Sequence, residues 1–204
     1  PCYPKFKSKK DSINSYRTFH CIIQNAINKI RLPKIGWVKF KHSQDIPENI
    51  KSATISKNKL NEYYVSLLYE TNISDNLITD IKDEDCIGLD MSAKDFLIAS
   101  NDELFENKKF YRSNERILEI RQRKLSKKQK NSNNKKKQRL VVAKIHNKIV
   151  NQKDNYLHKV SKYLADKYKV VCIEDLNIAG MSKFSSGLSK TITLDLSFSK
   201  FVEY

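Results

Sequence analysis

The spacing of hydrophobic positions changes from period two to period three-and-a-half along this chain, and the change separates its parts. In the first 70 residues the apolar side chains come in short runs between polar turns. These are Trp37-Val38-Lys39-Phe40-Lys41, Ala53-Thr54-Ile55-Ser56 and Tyr63-Tyr64-Val65-Ser66-Leu67-Leu68-Tyr69. Alternation at period two puts successive side chains on opposite faces of a strand, so residues 1–70 predict a small β-barrel or sandwich. Lys39 and Lys41 fall on its outward face, and Trp37 is read as a barrel-core residue rather than a platform for a base. All four prolines lie at or before Pro47, as suits a turn-rich start. Residues 71–85 are polar and acidic with no sustained period, which predicts a linker.

From residue 86 the pattern changes. Cys86-Ile87-Gly88-Leu89-Asp90 and Phe96-Leu97-Ile98-Ala99 predict two strands in a hairpin. Ile117, Leu118, Ile120 and Leu125 then recur at helical spacing between about Arg112 and Lys130, and the Asn131-Ser132-Asn133-Asn134 cluster breaks the run. A second helix is predicted from about Lys136 to Tyr168, with Val142, Ile145, Ile149, Tyr156, Val160 and Leu164 on one stripe. The pair forms a helical hairpin over about residues 112–168, apolar inward and basic outward. A last short strand, Val170-Val171-Cys172-Ile173, ends in Glu174. The fold class is α+β.

Charge sharpens this picture. The formal net charge is +16, and residues 108–153 hold 17 basic but only two acidic side chains, against 22 basic and 21 acidic elsewhere. A near-neutral body thus carries one strongly basic element. Like charges at helical spacing repel one another, and a polyanion relieves that repulsion, which makes nucleic acid the expected partner. The candidate contacts are Lys39, Lys41, Arg121, Arg123, Lys124, Lys127, Lys128, Lys135, Lys136, Lys137 and Arg139. No apolar run approaches the roughly 20 residues that cross a bilayer, and the expected setting is the cytosol. The four cysteines form no short Cys-x-x-Cys pair. Cys86 and Cys172, each in an apolar run, read as small core residues.

Two predicted strands end in a carboxylate, Asp90 and Glu174. If they are neighbours in one sheet, oxygen ligands converge at a strand end, where they suit Mg²⁺ or Mn²⁺ and metal-assisted phosphodiester hydrolysis. A carboxylate in that position also serves as a turn residue or a helix cap.

The wording around these acids adds to the spacing. Gly88-Leu89-Asp90-Met91-Ser92-Ala93-Lys94-Asp95-Phe96, Leu125-Ser126-Lys127-Lys128-Gln129-Lys130, Ala143-Lys144-Ile145-His146-Asn147-Lys148-Ile149, and Ile173-Glu174-Asp175-Leu176-Asn177-Ile178 with Gly180-Met181 closely resemble the transposon-encoded TnpB family. That family, also called OrfB-type transposases, is related to the type V CRISPR effector nucleases. Leu32-Pro33-Lys34-Ile35-Gly36-Trp37-Val38-Lys39 and Tyr63-Tyr64-Val65-Ser66 resemble its wedge-domain β-barrel. The resemblance implies an RNase H-like, RuvC-type nuclease domain over 86–204, with a guide RNA and DNA as partners and a bacterial-type, nucleoid-associated location. It assigns Asp90 and Glu174 as catalytic, metal-ligating acids, Asp175 as a cap and Asp95 as a turn former; His146 reads as packed or solvated.

The family's four-cysteine zinc module and third catalytic aspartate have no counterpart after Cys172 and Glu174, where only Asp175 and Asp195 remain. Asp195 is placed in a predicted last helix starting near Ser189, too early to be the missing ligand. The chain therefore reads as an internal piece. Three functions are compatible: an RNA-guided DNA endonuclease, a nuclease-inactive nucleic-acid-binding remnant, and a basic structural protein of a ribonucleoprotein.

Overall fold

A computed structural model describes residues 14–24, 27–42, 45–47, 49–71, 80–92, 94–177 and 195–204. Cys2, most of the expected linker, Gly180-Met181 and the expected helix start at Ser189 lie outside the described residues. The architecture is mixed α and β, in two compact units, Pro1–Asp75 and Asn76–Tyr204.

The first unit holds two three-stranded antiparallel sheets. One is formed by β1 (Asn14–Thr18), β5 (Ile50–Lys57) and β6 (Tyr63–Tyr69), with β5 central. The other is formed by β2 (Ile22–Gln24), β3 (Lys29–Leu32) and β4 (Gly36–Lys39), with β3 central. Alternation gives each sheet one apolar face, and Ile30, Leu32 and Ala53 form the buried cluster, flanked by Ile23, Phe40, Ile55, Val65 and Leu67. The β3–β4 hairpin closes through Ile35 N–H donating to the Leu32 carbonyl at 3.3 Å. Gly36 takes φ +84° there, a conformation that side-chain-bearing residues rarely adopt. Among the described residues the strands form two separate sheets and no closed barrel. The expectation for Trp37 is corrected here: it is 44% exposed. The pleat explains why, since positions 37 and 39 share a face and Val38 takes the opposite one.

The second unit is built on a four-stranded sheet ordered β10-β7-β8-β9. Strands β7 (Cys86–Met91), β8 (Leu97–Ala99) and β9 (Leu104–Phe105) run antiparallel in sequence, and β10 (Val170–Ile173) returns parallel to β7. Between β9 and β10 lie helices α1 (Phe110–Ser126) and α2 (Asn133–Lys167), the latter about 50 Å long. Ser132 caps α2, its hydroxyl accepting the Lys135 N–H at 3.1 Å. Gln138 of α2 donates to the Arg121 carbonyl of α1 at 3.1 Å. Leu118 of α1 and, in the earlier turns of α2, Val142 and Ile149 are buried, while Ile117 and Ile120 stay 51% and 43% exposed. One partner helix covers only one stripe of α1.

The later turns of α2 pack on the sheet. Leu157, Val160 and Leu164 join Ile87, Leu89, Met91, Phe96, Leu97 and Ala99 in the core, together with Leu196, Phe198 and Phe201. The last helix is the short α3 (Phe198–Val202). Asp195 precedes it and is not helix surface: its side chain is 1% exposed. Its carboxylate accepts the Tyr111 N–H at 3.0 Å and pairs with Arg112 at 3.4 Å. It thereby caps α1, whose own N-cap, Lys109, makes no side-chain cap bond.

Candidate functional site

The core face of β7 is set by Ile87, Leu89 and Met91, all buried, so Gly88 and Asp90 point to the other face. The parallel register fixes what lies beside them: Cys172 is level with Gly88 and Ile173 with Leu89. Glu174 follows Ile173 just past the end of β10, as Asp90 follows Leu89 within β7. On the other side Asp90 is paired with Ile98, and Gly88 is joined to Ser100 by two hydrogen bonds, of 2.9 and 3.2 Å. These side chains line an open cleft of about 460 Å³ that holds both carboxylates. Gly88 leaves its floor clear.

Both acids are exposed, and no hydrogen bond or ion pair engages either carboxylate among the described residues. Two unengaged carboxylates side by side repel one another and attract a cation. Their hard oxygen donors fit Mg²⁺ or Mn²⁺, ions that usually retain several waters and take one or two carboxylates from the protein. Among the described residues no group of three or more His, Cys, Asp or Glu side chains gathers, so the carboxylate set here is two. Asp175 is exposed beyond Glu174, and Asp95 lies in the β7–β8 turn, its N–H donating to the Ser92 hydroxyl. Cys172 is exposed on the open face and Cys86 is half-buried, which corrects the reading of both as core residues. Cys172 belongs to an edge strand with one covered face.

The basic candidates divide between the units. In the first, Lys39 and Lys41 are exposed. In the second, Arg121, Arg123, Lys124, Lys127, Lys128, Lys136, Lys137 and Arg139 are exposed along the hairpin, while Lys135 is half-buried with its ammonium donating to the Lys128 carbonyl at 3.2 Å. Among the described residues Arg123 is the one of these with a carboxylate partner, Glu119, at 3.7 Å. His146 is exposed on α2. No described helix is long and apolar enough to cross a membrane.

Sequence reasoning missed the polar cluster beneath α1. Burial pushes the Lys153 ammonium below its usual pKa, opposed by the charges of Asp195 and Asp154, and Lys153 donates to Ser197 at 2.9 Å. Lys200 reaches Asp154 on the same flank. The sequence separation of 84 between Asp195 and Tyr111 leaves no local signal for this contact.

The family model OrfB_IS605, described as probable transposase, matches residues 66–185. The chain belongs to this family. It is also similar to a protein of Escherichia coli strain K12 with the provisional name RNA-guided DNA endonuclease InsQ, 29% identical over 186 residues, which are 91% of this chain and 45% of that protein. A Streptomyces pristinaespiralis protein, provisionally named RNA-guided DNA endonuclease, is 29% identical over 184 residues, 89% of this chain and 45% of its own length. The chain thus spans less than half the length of these curated relatives.

Proposed function

We propose that this OrfB_IS605 chain acts in RNA-guided cleavage of DNA by metal-assisted phosphodiester hydrolysis, with Asp90 and Glu174 as the metal-holding acids of an RNase H-like, RuvC-type domain. The observation that carries the reading is the parallel pairing of Ile173 with Leu89, the residues just before Glu174 and Asp90, together with the open cleft that both acids line. Supporting it are the strand order, three antiparallel strands with a fourth returning parallel to the first after a helical excursion, and the names of both relatives.

Asp90 and Glu174 would hold Mg²⁺ or Mn²⁺, which when bound acidifies a coordinated water and neutralises charge on the leaving oxygen. The chain's own contribution is to bring the two carboxylates to one cleft, one within β7 and one just past the end of β10, with no side chain at Gly88. The basic hairpin holds the phosphate backbone through exposed lysines and arginines, a sequence-independent contact that positions rather than reads. The wedge-like β unit carries exposed lysines of its own, Lys39 and Lys41.

A second reading, nucleic-acid binding without cleavage, is favoured by the carboxylate count of two among the described residues. The two separate in one experiment. The protein is purified, its co-purifying RNA is sequenced, and DNA complementary to that RNA is offered with Mg²⁺. Cleavage that disappears in Asp90→Ala supports the nuclease; a discrete RNA without cleavage supports the binding protein.

A further inference from the structure

The outer face of the β2-β3-β4 sheet takes no part in the carboxylate chemistry. Its cross-strand register builds two rows: Ile22, Arg31 and Trp37 in one, Gln24, Lys29 and Lys39 in the other. Trp37 and Ile22 are 44% and 56% exposed, and no acid interrupts either row. An exposed indole costs free energy in water, yet a protein surface that covered it would also have to desolvate three cations. A flat aromatic ring framed by arginine and lysine matches a nucleobase next to its own phosphates, since every base has a π-face and every linkage a negative charge. Bases inside a duplex are already stacked, so the match is to an unpaired strand. Beside the hairpin end of the sheet a groove of about 630 Å³, lined in part by Phe19, Arg31 and Lys34, is roomy enough for a nucleotide. Phe19 is 68% exposed with the Arg17 guanidinium 5.0 Å from its ring centroid, which repeats the pairing of ring and cation.

We infer that this face is a stacking platform for an unpaired segment of RNA, with Trp37 carrying a base and Arg31, Lys29 and Lys39 its flanking phosphates. The choice of RNA rests on the proposed function, which gives the chain a resident RNA.

Trp37 is the chain's one tryptophan, so intrinsic emission reports on this face alone. The 204-residue chain is titrated with a short, unstructured, end-labelled oligoadenylate RNA, following tryptophan emission and label anisotropy together. The expected result is saturable quenching with the midpoint of the anisotropy curve, weakening of roughly 10-fold in Trp37→Ala, and near-recovery in Trp37→Phe. Far-UV dichroism of both variants verifies that the exposed substitution leaves the fold intact. RNA binding with unchanged emission and wild-type affinity in Trp37→Ala would overturn the platform while leaving RNA binding elsewhere. No RNA binding at all would overturn the platform together with the RNA-guided reading. Equal or stronger quenching by the DNA oligomer of the same sequence would overturn the assignment to RNA.

Discussion

The Asp195 carboxylate accepts the backbone N–H of Tyr111 at 3.0 Å across 84 residues of sequence. A helix whose own N-cap position offers no side chain acceptor is completed by an acid from the far end of the unit, and the same acid faces Arg112 and the half-buried Lys153. One buried carboxylate thus serves as helix cap and as counter-charge.

Asp195→Ala removes both roles and leaves Lys153 without its larger compensating charge. We expect a loss of about 3 kcal/mol, against a clearly smaller loss in Asp195→Asn, which keeps an acceptor for Tyr111. Urea denaturation midpoints check this. An alanine variant within about 0.5 kcal/mol of wild type, the range of an ordinary surface change, would show that the cap is dispensable.

Tyr156 gives a pH signature. Its hydroxyl donates to the Glu106 carbonyl at 2.7 Å, and burial pushes its phenol pKa from 10.0 to about 12. The folded value lies above the unfolded one, so the stabilisation is complete below pH 10 and is lost as pH rises from 10 towards 12. A spectroscopic alkaline titration should show a late phenolate component that is missing in Tyr156→Phe. Identical titration curves would contradict the burial.

The N-cap of α2 is a smaller test. Ser132→Ala deprives the Lys135 N–H of its acceptor and should destabilise the chain by about 1 kcal/mol, whereas Ser132→Asp should restore most of it. Thermal melts of the three proteins decide.

How much of the fold is legible in the sequence depends on the range of each signal. The hairpin is, because its apolar stripe repeats over many turns and Ser132 lies in the polar break between the helices. β7 and β10 are, because each is an apolar run that ends in an acid. β1, β2 and β3 are not: in Ile22-Ile23-Gln24 and Lys29-Ile30-Arg31-Leu32 one or two apolar residues carry the inner face, and in Ser15-Tyr16-Arg17-Thr18 the buried residue is the polar Thr18 while Tyr16 is exposed. The chemistry of Trp37 points it inward, although its parity with Lys39 puts it outside. Cys172 misleads because an apolar run does not say which face remains open. That Asp90 and Glu174 line one cleft follows from the two strands being neighbours, and that adjacency is set by the return of α2 onto the sheet. The tie between Asp195 and Tyr111 depends on tertiary packing and has no local pattern at all.

The hairpin's role in binding phosphate has its own measure. Changing Lys127, Lys128, Lys136 and Lys137 to glutamine should flatten the log–log dependence of duplex DNA affinity on salt by about 0.9 for each phosphate that is no longer neutralised. These four side chains are exposed, so folding should be spared. An unchanged slope would move the phosphate-binding residues elsewhere.

In the proposed function Asp90 and Glu174, which line one cleft, share one divalent ion. Mn²⁺ binding measured by calorimetry on wild type, Asp90→Ala and Glu174→Ala tests this without requiring catalysis. Because loss of even an outer-shell partner commonly weakens a metal site by about 10-fold or more, each substitution should lower Mn²⁺ affinity at least that much, with the double variant no weaker than the worse single one by any comparable factor. Wild-type Mn²⁺ affinity in both single variants would contradict a shared ion.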